Sequence, residues 1–139
     1  GSGYTITVAE GAPSIVAPVY FLQPEVRVTT APITVQVWIC EQGPNGPVNC
    51  RTPSASQIDP MPYLVGSDGA QYPASSAQVT RNTWTWTLPA GTWTFGQSGW
   101  QGDFYVNGTQ YPSGSAYSFS SNGIDPVQLN VEDVYFLIT

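Results

Sequence analysis

Any catalysis by this chain would depend on its carboxylates. The sequence has no His, and its 3 basic residues are all arginines, so the usual general base and the amine nucleophile are both missing. Glycoside cleavage remains open to a pair of acids, which must lie about 5 to 10 Å apart. The acids considered for it are Asp59, Asp68, Asp103, Asp125, Glu132 and Asp133. Most of them lie in or beside turns, and the adjacent Glu132 and Asp133 face opposite ways on a strand. We therefore expect a protein without enzymatic activity, with a carboxylate-dependent glycoside hydrolase as a remote alternative.

Aromatic side chains offer a second kind of chemistry, the binding of a ligand. Trp38 shares its strand face with Thr34 and Gln36 rather than with aliphatic residues, and Trp100 lies in the Gly-rich stretch 96–102. Three tyrosines stand among Ser and Gln, a polar-aromatic mixture that is typical of recognition surfaces. The candidate ligand-binding residues are Trp38, Trp100, Tyr72, Tyr111 and Tyr117. Two alternatives stay open: Trp100 covers the core, and the tyrosines close the ends of a sandwich.

The segment 83–95 (TWTWTLPAGTWTF) concentrates the remaining large rings. Trp84 and Trp86 alternate with threonines, and Pro89-Ala90-Gly91 is expected to turn the chain so that Trp93 returns beside them as a hairpin. Such an aromatic face either fills the core or forms an exposed platform for sugar rings. We favour the core, because Trp is mostly buried in folded proteins.

The cysteines predict a disulfide. Cys40 and Cys50 flank a turn-rich stretch (EQGPNGPVN) in which a hairpin would bring them together. The bond would add roughly 2 to 3 kcal/mol and would fit an oxidising compartment; two unpaired buried thiols are the alternative. Two thiols without His fall short of a structural zinc site, so no metal site is predicted. Calcium would suit the loop carboxylates, but no spacing of ligands specifies a site, and we predict no cofactor.

Charge excludes two classes of partner. The net charge is −6, and three dispersed arginines cannot form the cationic surface that a nucleic acid requires. The longest apolar run, residues 15–22, is interrupted by Pro18, so membrane insertion is not expected. The small number of carboxylates also predicts a protein that keeps its stability at low pH.

Strands must position all of these residues. Apolar and polar residues alternate from Ile33 to Cys40, and no stretch of eleven or more residues has helical spacing without an intruding Pro or Gly. The pattern predicts an all-β fold, an antiparallel β-sandwich or jelly roll of about ten short strands with essentially no helix. The predicted strands are 4–8, 15–22, 25–30, 32–40, 61–65, 69–72, 77–88, 92–95, 102–111, 116–120 and 127–138. Residues 1–3 look like a vector scar, and 4–139 are expected to form a single domain.

One sequence pattern occurs twice. Residues 69–77 (GAQYPASSA) and 108–116 (GTQYPSGSA) share six of nine positions, and each follows a turn dipeptide, Asp68-Gly69 or Asn107-Gly108. These dipeptides favour tight hairpins, and the Tyr-Pro that follows should end the pairing because Pro donates no hydrogen bond. We predict two hairpins of similar design.

Together these features predict a surface-exposed β module of an extracellular or virion assembly. Its role would be attachment or recognition, with a glycan or a surface receptor as the partner. The alternative is a structural subunit, such as a capsid decoration, fibre or pilus component, that binds copies of itself through strand edges. The run 134–138 (VYFLI) favours the alternative, because a strand that is apolar on both faces is either central to a sheet or needs a neighbour from another chain.

Overall fold

The structure, a computed structural model, describes residues 28–53 and 60–136. Strands dominate both ranges. In chain order they are β1 Thr30–Gly43, β2 Gly46–Arg51, β3 Met61–Gly66, β4 Gln71–Tyr72, β5 Gln78–Thr80, β6 Thr83–Pro89, β7 Gly91–Ser98, β8 Phe104–Val106, β9 Thr109–Tyr111, β10 Tyr117–Ser121 and β11 Val127–Tyr135. The predicted strands 4–8 and 15–22, most of 25–30, the end of 127–138, the scar at 1–3 and Asp59 lie outside the described residues.

The strands form two sheets, which confirms the predicted β-sandwich. A seven-stranded sheet has the order β5-β6-β1-β11-β8-β9, with β2 also paired to β1, and a four-stranded sheet has the order β10-β7-β3-β4. Helical structure within the described ranges is limited to a short 3-10 turn, Ala74–Ser76.

One pairing departs from the antiparallel expectation. Strands β1 and β11 are parallel, in register from Ile33 opposite Val127 to Glu41 opposite Tyr135. They are far apart in the sequence, so no hairpin turn fixes their relative direction, and alternation of apolar residues is the same in either orientation.

The core lies between the two sheets. Except for Asp133, the buried inward residues of β1 and β11 are aliphatic, and Ile33, Val35 and Val131 are fully buried there. The rings of β6 and β7 complete it: Trp84, Trp86 and Trp93 are 6%, 3% and 5% exposed. The aromatic face of 83–95 is therefore core, as we favoured from the sequence.

The expected hairpin across Pro89-Ala90-Gly91 is wrong. Strand β6 belongs to the seven-stranded sheet and β7 to the four-stranded sheet, so this turn carries the chain from one sheet to the other. The tryptophans of the two strands thus come from opposite sheets, with the Trp93 Nε1 bonded to the Pro89 carbonyl at 3.2 Å. Alternation gives the buried face of each strand but does not say which sheet the next strand joins.

Both copies of the repeated pattern form the predicted hairpins. Strand β3 pairs with β4, and β8 pairs with β9 around Asn107-Gly108, whose φ angles are 50° and 89°. In each copy the strand ends at Tyr-Pro, and a turn follows. In the first copy Ser76 donates its N–H to the Pro73 carbonyl, and in the second Ser115 donates its N–H to the Pro112 carbonyl.

The disulfide is also confirmed. Cys40 and Cys50 are bonded, with their Cα atoms 4.1 Å apart, in the hairpin of β1 and β2. Cys40 is fully buried and Cys50 is exposed.

Candidate functional site

The five predicted binding residues do not form one surface. Trp38 lies on the face of β1 away from the main core, as its alternation indicates, but it is half-buried there. It packs against a small outer cluster of Cys40, Tyr105 and Val134, and its Nε1 donates to Asn130 Oδ1 at 3.2 Å. This ring mainly covers the outer side of the sheet near the disulfide.

The three tyrosines lie along the margin of the core. Tyr72 meets the Trp93 ring edge-on at 5.5 Å, and Tyr111 stacks on Phe104 at 5.7 Å. Tyr111 also contacts Tyr117 edge-on at 5.5 Å, so two of the predicted residues do touch. All three are half-buried and packed against the core cluster, which corresponds to the alternative in which tyrosines close the sandwich.

Trp100 is the predicted residue that borders open space. It lies in the loop between β7 and β8, where its Nε1 donates to the Asp103 carbonyl at 3.1 Å and fixes the ring. The same carbonyl accepts a hydrogen bond from the N–H of Val134, which ties the loop to β11. A Cβ at Gly102 would lie 3.1 Å from the ring, so the indole rests on bare backbone.

Beside Trp100 is a groove of about 450 Å³. It forms because β10 pairs with β7 only as far as Phe95, so the next residues of β7 face the loops before β8 and before β10 instead of a strand. Its lining has no charged side chain: Tyr63, Val65, Thr94, Phe95, Gly96, Gln97, Trp100, Gly102, Phe104, Gly114, Ser115 and Ala116.

Tyr63 borders the groove from β3 and is not among the five predicted binding residues. It faces Gly96 across the strand pair, and a Cβ at Gly96 would lie 2.5 Å from the tyrosine ring. Both groove aromatics therefore rest on a glycine. The available signal was Gly96 itself, which directly follows the predicted strand 92–95 and lies within β7 in the structure, because a glycine in a strand often marks close approach of another group.

Two further hollows share an aromatic residue with the groove. Trp100 also lines one of about 540 Å³ with Tyr135 and Phe136, and Tyr63 also lines one of about 590 Å³ with Met61 and Pro73. Each of the two aromatic residues therefore lines both the groove and one neighbouring hollow. Met61 and Phe136 are 45% and 67% exposed, so the outer hollows carry apolar surface.

The acids considered for glycoside cleavage have local partners. Asp68 accepts a hydrogen bond from the Ala70 N–H, and Asp103 accepts one from the Ser113 N–H. Asp125 accepts one from Asn122 Nδ2 at 2.7 Å. Glu132 is half-buried on the outer side of β11, whereas Asp133 is fully buried on the inner side, so their predicted opposite orientation holds.

A single group of three ligand-type atoms occurs in the described ranges. The sulfurs of Cys40 and Cys50 and a Glu132 carboxylate oxygen lie within 4.8 Å of one another. The sulfurs are joined in the disulfide and offer no thiolate, so this group is not a metal site.

Comparison with known proteins adds no identity. No protein family, curated protein or solved structure matches the chain. Within the described residues, no helix has the length and apolar character needed to cross a membrane.

Proposed function

We propose that this protein is a non-catalytic recognition module that binds a neutral glycan chain along the groove between Tyr63 and Trp100. The observation that carries the proposal is the pair of half-buried rings bordering an uncharged groove of about 450 Å³. Sugar rings present C–H faces that pack on aromatic side chains, while a few polar groups fix their orientation.

The polar groups of the groove suit hydroxyl-rich ligands. The hydroxyl side chains of Thr94 and Ser115 line it, and each can exchange hydrogen bonds with the hydroxyl groups of a ligand. The lining contains no cation that would select a phosphate or a carboxylate, which favours a neutral sugar over an acidic one.

The three neighbouring hollows favour a chain over a single sugar. A ligand longer than one sugar unit would occupy the central groove and extend past Tyr63 or Trp100 towards a second hollow. Affinity should therefore rise with the number of sugar units until all three hollows are filled.

Calorimetric titration with neutral oligosaccharides of one to six units tests the proposal. Binding should strengthen with length, and Trp100→Ala and Tyr63→Ala should each weaken it at least about tenfold. Trp38→Phe is the matched control, since Trp38 lies in the outer cluster and lines none of the three hollows. No binding across a broad panel, or equal binding by wild type and Trp100→Ala, would contradict the proposal.

A structural subunit is the second candidate, although its main sequence argument has weakened. Strand β11 pairs with β1 on one side and β8 on the other, so the apolar Val134 is buried within the chain itself. The candidate now rests on β10, an edge of the four-stranded sheet that has no charged residue and no Pro to prevent pairing with another chain. A stable oligomer in sedimentation equilibrium that loses its partner when Ser118 is changed to Lys would favour it.

A further inference from the structure

A polar pair joins the two sheets inside the sandwich. Gln97 projects from the inner side of β7, and Asp133 projects from the inner side of β11. The Gln97 Nε2 donates to Asp133 Oδ1 at 2.6 Å, and Asp133 is 0% exposed.

The remaining oxygens of the pair lack a donor. Gln97 Oε1 and Asp133 Oδ2 are both buried, and neither has a hydrogen-bond partner in the described part of the chain. An amide oxygen only accepts, and an ionised carboxylate also only accepts. Two buried acceptors in one pair are costly, and a single proton on Oδ2 would turn one of them into a donor.

No cation compensates a charge on Asp133 in the described ranges. Strand β7 carries no titratable side chain, and those on the other neighbouring strands have other partners or face away. Glu41 on β1 accepts from Asn49, Asp103 before β8 accepts from Ser113, and Tyr105 on β8 bonds to Gln42. Arg51 on β2 is exposed and donates to the Thr52 carbonyl, and Tyr135 on β11 is exposed. Tyr63 and Glu132 lie on the outer sides of β3 and β11.

We propose that Asp133 is a neutral carboxylic acid in the folded protein at acidic pH, and that its O–H donates to Gln97 Oε1. Acid and amide then make two reciprocal hydrogen bonds that join the two sheets, and we call this pair of bonds the lock. When Asp133 loses its proton, the bond to Gln97 Oε1 is lost and the connection between the sheets weakens. Because Gln97 also lines the groove, the lock fixes one wall of the groove, but it exists whether or not the groove binds a glycan.

The electrostatics agree with this geometry. Burial raises the pKa of Asp133 to about 7, and the hydrogen bond from Gln97 opposes the rise only in part. An acid whose pKa is higher in the folded than in the unfolded state makes the folded protein bind the extra proton. The stabilisation is complete below the unfolded pKa near 3.8 and is lost as the pH rises through about 7.

The test is the pH dependence of the melting temperature, Tm, without any ligand. Wild-type Tm should fall by about 5 to 10 °C between pH 5 and pH 8.5. In Asp133→Asn, the new amide can donate to Gln97 Oε1 and accept from Gln97 Nε2, so it reproduces the lock without a titrating proton. Its Tm should stay nearly constant over this range. Asp68→Asn is the matched control, because Asp68 is exposed, and its profile should follow wild type.

A direct measurement covers the case in which Asp133→Asn does not fold. The carboxyl ¹³C resonance of Asp133 in the wild-type protein should titrate near pH 7, with the neutral acid present at pH 5. An Asp133 that is fully ionised at pH 5, or a Tm that does not depend on pH in wild type, would overturn the proposal. Loss of glycan binding with the titration intact would instead count only against the proposed function.

Discussion

The rings of the core and the rings of the groove differ in how much open space they meet. Trp86 and Trp93 come from opposite sheets and are 3% and 5% exposed, whereas Tyr63 and Trp100 are half-buried and border the groove. Indole hydrogen bonding does not separate the two sets, since Trp86 and Trp100 both donate to backbone carbonyls. Contact with glycine does not separate the two sets either, since a Cβ at Gly66 would lie 3.0 Å from the Trp93 ring. We infer that a border on open space, rather than the support beneath the ring, distinguishes the groove aromatics from the core in this sandwich.

The largest expected effect is on the core side of this comparison. Trp86→Ala removes a ring that is 3% exposed and whose Nε1 bonds to the Pro73 carbonyl and Ser76 Oγ. We expect it to lower the free energy of unfolding by about 3 to 5 kcal/mol, measured by denaturant titration. Trp100→Ala is the matched change on the groove side and should cost less than about 2 kcal/mol. Equal losses would break the distinction between the two sets.

The outer cluster around the disulfide should come next. Changing Cys40 and Cys50 together to Ala opens the hairpin of β1 and β2 and should lower the free energy of unfolding by about 2 to 3 kcal/mol. Neither cysteine lines the groove or its two neighbouring hollows, so glycan binding should be unchanged. A loss of binding in a folded double variant would show that the outer cluster supports the groove.

The smallest expected effect tests how far the position of the Tyr63 ring depends on Gly96. Gly96→Ala places a methyl group 2.5 Å from the Tyr63 ring, so the ring must move. We expect a loss of about 1 to 2 kcal/mol in stability and a weaker groove. In Tyr63→Ala the same glycine substitution should cost much less, and a double-mutant cycle measures the difference. Independent effects of the two changes would mean that the ring does not depend on Gly96.

Local features were predictable because they depend on residues close in sequence. The hairpins at Asp68-Gly69 and Asn107-Gly108 follow from turn chemistry, and the bond between Cys40 and Cys50 follows from the turn between them. Strand limits were less accurate. The predicted strand 77–88 is interrupted at Arg81, whose φ is 56°, and Pro32 lies inside β1 rather than at a break. Pro32 fits there because pairing with β11 begins only at Ile33, so the missing N–H costs no bond on that side.

Relations between distant segments were not predictable. The parallel pairing of β1 with β11 and the transfer of the chain between sheets after β6 depend on packing of the whole domain. The groove depends on where β10 stops pairing with β7, and Tyr63 reaches it from a different strand. Trp100 could be singled out because its loop is visible as a run of glycines, whereas Tyr63, which borders the same groove, could not.

The parallel arrangement of β1 and β11 also determines how the domain would bear tension. If force pulled the chain apart along β1 and β11 in opposite directions, the hydrogen bonds between these strands would be sheared together, from Ile33 opposite Val127 to Glu41 opposite Tyr135. A hairpin pulled open from its ends instead breaks one pair after another. A domain with this connection would resist forced separation of the two strands more strongly than a hairpin of the same length.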